Sequence, residues 1–246
     1  MVCFRSGIDA PAPYGSPIDP FASPLRMTTT PLLTFALLLL PAYFLGSIPF
    51  GLLVGRLRGL DIREHGSRNI GATNVWRTLG PRWGLFTFLL DAGKGFAAVT
   101  LARAIAFHQV PQPVPDDFIA YAEAFAGLAC ILGHSFPIWL RFRGGKGVAT
   151  SLGVILSMMP PFSTAVVFAV WLLVFAVSRY VSLASLVAAV SLPVTLAILY
   201  YLRWMDSAVT LAFACAAAFL VIRRHRENIR RLIDGTENRF GSKTRD

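Results

Sequence analysis

From residue 32 onward the chain alternates long apolar stretches with short polar ones. A helix needs ~20 mostly apolar residues, within a range of about 17–25, to cross a bilayer. On that measure the candidate spans are 32–56, 84–107, 118–140, 148–159, 162–178, 181–202 and 207–222. The fourth is short. Pro160-Pro161 ends it, because proline cannot donate into a helix and restricts the residue before it. If that segment is re-entrant the chain has six spans; if it crosses, tilted or in a thinned region, it has seven. Residues 1–31 read as a disordered leader. Residues 1–26 are rich in Pro, Ser, Gly and Asp and form neither a signal peptide nor a span, and Met27 is a candidate start just before the first span.

Charge decides between six and seven. With seven spans, the segments between and after them carry 18 Lys and Arg on one side of the membrane and one on the other. Basic residues favour the cytoplasm, so the N-terminus is expected outside and the C-terminus inside. The expected architecture is an all-α polytopic membrane protein with seven transmembrane helices. A membrane domain over 32–222 carries cytoplasmic loops at 57–83 and 141–147, and 223–246 forms a cytoplasmic helix and tail.

Composition supports this class. Of 246 residues, 55% are hydrophobic and 15% charged, against ~25% charged in an ordinary soluble domain. Such a chain has too few polar residues to cover a soluble globule. The net charge of +10 would suggest nucleic acid in a soluble protein. Here the basic residues cluster in loops, which points to topology, lipid and anionic ligands instead. Cys3, Cys130 and Cys215 are far apart and show no metal-ligand spacing, and no carboxylate cluster suggests a metal.

Three cytoplasmic segments contain more than topology requires. The first runs Gly66-Ser67-Arg68-Asn69-Ile70-Gly71-Ala72-Thr73-Asn74-Val75-Trp76-Arg77. Gly71 allows close backbone approach or positive φ. Ser67, Asn69, Thr73 and Asn74 are compact hydrogen-bonders, and Arg77 adds a planar fork suited to phosphate. The second, Arg141 to Thr150, is a glycine turn (Gly144, Gly145, Gly147) entering a helix. Backbone amides, the helix end and Lys146 together suit an anion. It is not a Walker A loop, because Leu140 and Gly147 break that pattern. The third, Arg223 to Glu237, is expected to continue the last span as a helix, with His225, Asn228 and Arg231 on one face and Gly235 ending it. A basic helix on anionic lipid would explain its cations but not Asn228 or Gly-Thr-Glu.

Charges inside spans are costly and default to paired or functional. Asp91 and Lys94, at i and i+3, read as a structural pair. Glu123 lies in the third span, and His134 reads as a satisfied helix-end group; His108 looks incidental. Known lipid-enzyme signatures are missing. No His is followed by Asp five residues on, no Asp-Gly-x-x-Ala-Arg pattern occurs, and no Ser or Cys sits in a nucleophile elbow with His.

The three segments resemble those of the bacterial acyl-phosphate:glycerol-3-phosphate acyltransferases. That family carries Ser-Gly-Asn-x-Gly-Ala-x-Asn-x-x-Arg, Gly-Gly-Lys-Gly-x-x-Thr and His-x-x-Asn-x-x-Arg-x-x-x-Gly-x-Glu. These match Ser67 to Arg77, Gly144 to Thr150, and His225 to Glu237, in order, over about residues 32–240. Gly46-Ser47-Ile48-Pro49 also looks familial. Arg68 stands where the pattern often has Gly and adds a cation.

The resemblance implies a seven-helix enzyme of the bacterial cytoplasmic membrane with its site facing the cytoplasm. It implies transfer of a fatty acyl group from acyl phosphate to the sn-1 hydroxyl of glycerol 3-phosphate, giving lysophosphatidic acid and phosphate. No metal, cofactor, acyl-CoA or obligate protein partner is expected; membrane lipids are. Both substrates are anionic, so Arg77, Lys146 and the loop amides can neutralise them, while Ser67, Asn69 and Asn228 orient groups. Gly71, Thr73, Asn74, Gly144, Gly145, Gly147, Thr150, Arg231 and Glu237 complete the expected binding set. The base is either His225 or a substrate phosphate. The competing readings are a transporter of phosphorylated metabolites, which would show repeats and broken midplane helices, and a lipid-binding scaffold.

Overall fold

The computed structural model describes residues 31–109, 116–204 and 207–241. The expected leader, Met27 included, lies outside them. The described residues form ten α-helices and one 3-10 turn, with no strand among them. They are α1 Pro31–Ser47, α2 Phe50–Leu57, α3 Ala72–Leu79, α4 Pro81–Gln109, α5 Asp116–Ser135, the turn Ile138–Leu140, α6 Val148–Met158, α7 Pro161–Ser178, α8 Val181–Tyr201, α9 Ala208–Arg224 and α10 Arg226–Ile233.

Five stretches are long and apolar enough to cross a bilayer: Ala36–Leu57, Pro81–His108, Phe118–Leu140, Pro161–Ser178 and Val181–Tyr201. A sixth appears if α9 and α10, bent by 60° about His225, count as one. The first span is broken. Pro49 has no N–H to donate, and the chain restarts as α2. The break leaves the Ile48 carbonyl free to accept from the Lys94 ammonium at 2.8 Å.

The expected fourth span is α6, with 11 residues. At 1.5 Å per residue it is about 16 Å long, roughly half the ~30 Å hydrocarbon core. Its far end is met by polar groups from two neighbours. Arg103 of α4 donates to the Ser157 carbonyl at 2.6 Å and pairs with Glu123 of α5, and Thr100 bonds Ser157. Glu123 thus has its partner, and the end of α6 has a donor for a carbonyl the helix cannot satisfy.

Small residues set the packing. α1 lies against α5 through Gly46 and Gly133, and α4 against α6 through Gly95 and Gly153. A side chain at any of these positions would run into the facing backbone. Such contacts let helices approach closely where lipid offers no hydrophobic drive to associate. α8 joins α7 to α9, and α9 closes onto α5. Val99, Ile131, Val154, Leu196 and Phe213 fill the centre.

The loop expected over 57–83 contains α3, a short amphipathic helix that packs Val75 inward and lies on α4. The third segment does not continue the last span as one helix. The helix breaks at His225, and α10 leaves at an angle that carries Asn228 and Arg231 under the helix ends.

Candidate active site

The three polar motifs meet around a cavity of about 500 Å³. Ser67, Asn69, Gly71, Thr73, Asn74 and Arg77 line it from the first segment. Lys146 and Gly147 line it from the second, and His225, Asn228, Arg231 and Glu237 from the third. Gly144, Gly145 and Thr150 do not.

The first segment is organised by Asn74, which is buried. Its Oδ1 accepts from the Ser67 amide at 2.8 Å, and its Nδ2 lies within 3.0 Å of the carbonyls of Ile62, His65 and Asn69. These bonds occupy Asn74 in holding the loop rather than in reaching outward. Of the two expectations for Gly71, positive φ does not hold: its φ is −76°, and its amide donates to Asn69 Oδ1 at 2.9 Å as α3 begins, while the residue does line the cavity. The left-handed turn comes earlier, at Gly66 and Arg68, each at φ 56°. The Arg77 guanidinium reaches the cavity and makes one long bond, 3.4 Å, to the Asn238 carbonyl.

The glycine loop doubles back on the end of α5. The Gly144 and Gly145 amides donate to the carbonyls of Ser135 and His134, so they are not available to an anion. A side chain at Gly144 would meet the His134 carbonyl and Pro137, and one at Gly145 the His134 ring. These glycines therefore allow close packing. Thr150 is fully buried where α6 crosses α4. What the loop delivers to the cavity is Lys146, followed by Gly147 at φ 80° and the first-turn amides of α6, which have no helical acceptor. Arg224, absent from the expected set, clamps the loop from α9 by donating to the carbonyls of Gly145 at 3.0 Å and Gly144 at 2.7 Å.

The third segment is held by Glu237. Its carboxylate accepts from Asn228 at 2.6 Å, Arg231 at 2.7 Å and Ser182 at 2.7 Å. Ser182 was not legible as a site residue: a single Ser at the start of an apolar span carries no motif signal. Asn228 Nδ2 is engaged, and its Oδ1 is a buried acceptor with no protein partner. His225 Nδ1 lies 2.8 Å from the Val221 carbonyl. A carbonyl only accepts, so the ring proton sits on Nδ1 and Nε2 keeps its lone pair.

The site's electrostatics follow from partial burial of like charges. Burial pushes Lys146 down to about 8, Glu237 opposes this, and Arg231 and Arg77 add to it. Burial, reinforced by the Lys146 charge, pushes His225 down to about 4. Burial disfavours the charge on Glu237, but the bonds from Ser182, Arg231 and Asn228 outweigh it and hold the carboxyl below its usual range. The site is a cationic pocket in need of anionic ligands, with a neutral imidazole on its wall.

Beyond this polar end the cavity turns apolar. Along α6 its lining changes from Lys146 and Gly147 through Ser151 to Leu152 and Ile155, and it continues between α7, α8 and α9 past Val167, Trp171, Leu192 and Ala217. Asp91 and His134, both buried, also reach this wall. The expected Asp91–Lys94 pair is formed, at 2.8 Å. Among the described residues no group of three His, Cys, Asp or Glu side chains is placed to hold a metal ion.

Residues 36–235 match the glycerol-3-phosphate acyltransferase family. The chain is 46% identical over 200 residues to the glycerol-3-phosphate acyltransferase of Desulforudis audaxviator, covering 81% of this chain and 92% of that one. It is similar to the crystal structure of PlsY (YgiH), an integral membrane glycerol 3-phosphate acyltransferase, in its glycerol 3-phosphate form. That likeness has TM-score 0.74 and 41% identity over 85% of this chain and 96% of the other. The lysophosphatidic acid form of the same enzyme gives TM-score 0.71 and 40% identity over 85% and 95%.

Proposed function

The chain belongs to the glycerol-3-phosphate acyltransferase family, and from that premise we propose how it works. It is an integral membrane acyltransferase acting on glycerol 3-phosphate. The donor is acyl phosphate, the acceptor atom is the sn-1 hydroxyl, and the products are lysophosphatidic acid and inorganic phosphate. One observation carries this reading: a single cavity joins a cationic end, built from all three polar segments, to an apolar arm between helices. A phosphorylated headgroup and a fatty chain need those two environments side by side.

The site lies at the cytoplasmic face of a bacterial inner membrane, with seven passes, the N-terminus outside and the C-terminus inside. In the segments between and after the spans, the sorting of 18 basic residues to one side against one supports this orientation. In it α6 is the short pass, and the polar cluster of Arg103, Glu123 and Ser157 meets its outer end.

Two phosphate groups bound ~4–6 Å apart repel unless cations lie between them. Lys146, Arg77 and the first-turn amides of α6 fill that role. Asn228 Oδ1 accepts from a glycerol hydroxyl, and Ser67 and Asn69 orient the headgroup. The hydroxyl oxygen attacks the acyl carbonyl carbon, the bond from that carbon to the phosphate oxygen breaks, and phosphate leaves with the electron pair. The donor is already activated, so no acyl-enzyme is needed. A substrate phosphate takes the hydroxyl proton, because His225, pushed down to about 4, is a weak base near neutrality.

Two measurements test this. Purified protein in detergent, given synthetic acyl phosphate and glycerol 3-phosphate, produces lysophosphatidic acid and phosphate in equal amounts. Acyl-CoA in place of acyl phosphate gives none. Equal rates with acyl-CoA overturn the donor assignment, and no product with either donor overturns the activity. His225→Gln keeps activity within about tenfold, and its rate still rises with pH near ~6, where phosphate monoesters lose their second proton. A loss of ~10²–10⁴-fold with a flat profile assigns the base to His225 instead.

A further inference from the structure

The chain continues past α10. Gly235, at φ 68°, turns the backbone, and the amides of Thr236 and Glu237 close the helix end by donating to the Arg231 carbonyl at 2.8 and 3.1 Å. The chain then runs along the rim of the cavity, which Glu237, Asn238 and Phe240 line. This run is tied on both sides. The Phe240 amide donates to the Arg179 carbonyl at 2.8 Å, and Arg179 Nε donates back to the Phe240 carbonyl at 3.3 Å. Arg239 Nε donates to the Tyr180 hydroxyl at 3.1 Å. On the other side Arg77 donates to the Asn238 carbonyl. Asn238 to Phe240 lie past residues 36–235, the stretch that matches the family.

The contacts of this run bridge a gap in the bundle. α3 packs on α4, and α7 on α8, but among the described residues no extended packing joins the first pair to the second. The cavity lies between them, with Trp76, Leu85 and Phe88 on one wall and Trp171 and Phe175 on the other. Phe240 spans the gap. Its ring centre stands 5.6 Å from that of Trp76 in α3 and 5.4 Å from that of Phe175 in α7, both within the range of aromatic contact. Beside this ring the lining changes from Arg77 and Glu237 to Trp171 and Phe175. In an acyl phosphate, the carbonyl carbon is the atom that joins the charged phosphate to the apolar chain, so it belongs at that change.

We propose that Phe240 is a specificity-determining residue: its ring closes the gap between α3 and α7 to water, so that the acyl group passes to glycerol 3-phosphate and not to water. This rests on the acyl-transfer reading above. Acyl phosphate is activated before it binds, and water is a competing nucleophile at the same carbon. In the side reaction a water oxygen attacks the acyl carbonyl carbon and the bond from that carbon to the phosphate oxygen breaks. Fatty acid and phosphate leave, and the water's proton passes to phosphate or solvent. A closed site suppresses such hydrolysis by excluding the water that would carry it out. An apolar ring held between two others does this without adding a polar group beside the carbonyl.

Two substitutions separate this role from a structural one. Phe240→Ala opens the gap, and Phe240→Tyr keeps a ring in it. The residue follows the last helix and is half-buried, so both variants are expected to fold. Full-length wild type and the two variants receive acyl phosphate and saturating glycerol 3-phosphate. Phosphate, lysophosphatidic acid and free fatty acid are measured in the same samples, and the loss of acyl phosphate without protein is subtracted. Wild type and Phe240→Tyr are expected to release phosphate and lysophosphatidic acid in equal amounts. Phe240→Ala is expected to release phosphate in excess by about threefold or more, with the excess matched by fatty acid. Loss of packing alone would lower the rate or the melting temperature and leave the two products equal. The proposal is overturned if the products stay equal in Phe240→Ala, whatever its rate or melting temperature, or if Phe240→Tyr shows the same excess. Failure of the underlying reading looks different: wild type itself then gives no lysophosphatidic acid.

Discussion

Lys146→Met lowers kcat/KM for acyl transfer by ~10²-fold or more and leaves the protein folded. Lys146 lines the cationic end of the cavity, where the proposed mechanism brings both phosphates together, and each charge-assisted hydrogen bond contributes ~1.5–3 kcal/mol. Losing two, at ~1.4 kcal/mol per tenfold, gives a loss of that size. Methionine keeps the length of the stem without the charge. The effect on folding has the opposite sign. The Lys146 pKa lies at about 8 in the folded chain, below the value of 10.5 for a free lysine. Between these values the folded state binds fewer protons than the unfolded one, so stability rises with pH across that window. Below it, burying the ammonium works against folding, and removing the charge relieves that cost. The pH profile follows from the same group. Wild-type kcat/KM rises near ~6 as phosphate ionises, then falls above about 8 as Lys146 loses its proton. In Lys146→Met the alkaline fall disappears. Steady-state rates at fixed ionic strength check both points; a variant within threefold of wild type removes Lys146 from the site.

Much of this site can be read from sequence because phosphate chemistry calls for residue types that a membrane loop does not otherwise need. Gly, Asn and Ser in tight order around Arg77 and Lys146 stand out against a background of Leu, Ala and Phe. The cavity confirms that the three segments converge, although they are separated by up to 170 positions in the chain (Ser67 to Glu237). What local pattern cannot reveal is which partner a residue meets. Asn74 looks like its neighbours in the motif, yet its amide is consumed by three carbonyls of its own loop. Gly144 and Gly145 look like an anion cradle, yet their amides already serve α5.

Geometry between elements was the other hidden quantity. Nothing at His225 marks a helix break: no Gly or Pro stands there, and the apolar run passes into a basic helix with good helix formers throughout. After the bend α10 is tied to α8 through Glu237, which accepts from Asn228, Arg231 and Ser182. The shortness of α6 was legible, because Pro160-Pro161 sets its end, but its polar cover was not. Arg103 and Ser157 are 54 residues apart and meet only because α4 and α6 run side by side. His134 illustrates both limits: in sequence it is a histidine at a helix end, and only the packing of α4 against α5, beside the break between α1 and α2, shows that Lys94 lies 3.0 Å from one of its nitrogens.

Glu237→Ala lowers kcat/KM for glycerol 3-phosphate by ~10²-fold, although the carboxylate need not touch substrate. Glu237 is the common acceptor for Ser182 of α8, Asn228 and Arg231 of α10. Its hold on Asn228 Nδ2 decides which end of that amide faces the cavity. With Nδ2 engaged, Oδ1 is presented as an acceptor for a hydroxyl. Without Glu237 the amide is free to turn, and the acceptor is lost half the time or more. Arg231 is also released, and its charge, no longer balanced, pushes Lys146 further toward its neutral form. Both changes act on binding and on charge stabilisation together. Glu237→Gln separates them. Its amide oxygen still accepts from Asn228 and Ser182, but its N–H₂ faces the Arg231 donor, so it keeps the orientation of Asn228 and loses the charge. The expected order is wild type, then Gln with a loss of about tenfold, then Ala. The melting temperature of Ala falls, since the carboxylate is buried and its loss leaves Asn228 and Ser182 without their acceptor, although the partly exposed Arg231 can turn to solvent. Rates for the three proteins across a range of glycerol 3-phosphate concentrations decide the point: equal losses in Gln and Ala mean that only the charge matters, and an Ala variant within threefold of wild type means that Glu237 holds the end of the chain in place and nothing more.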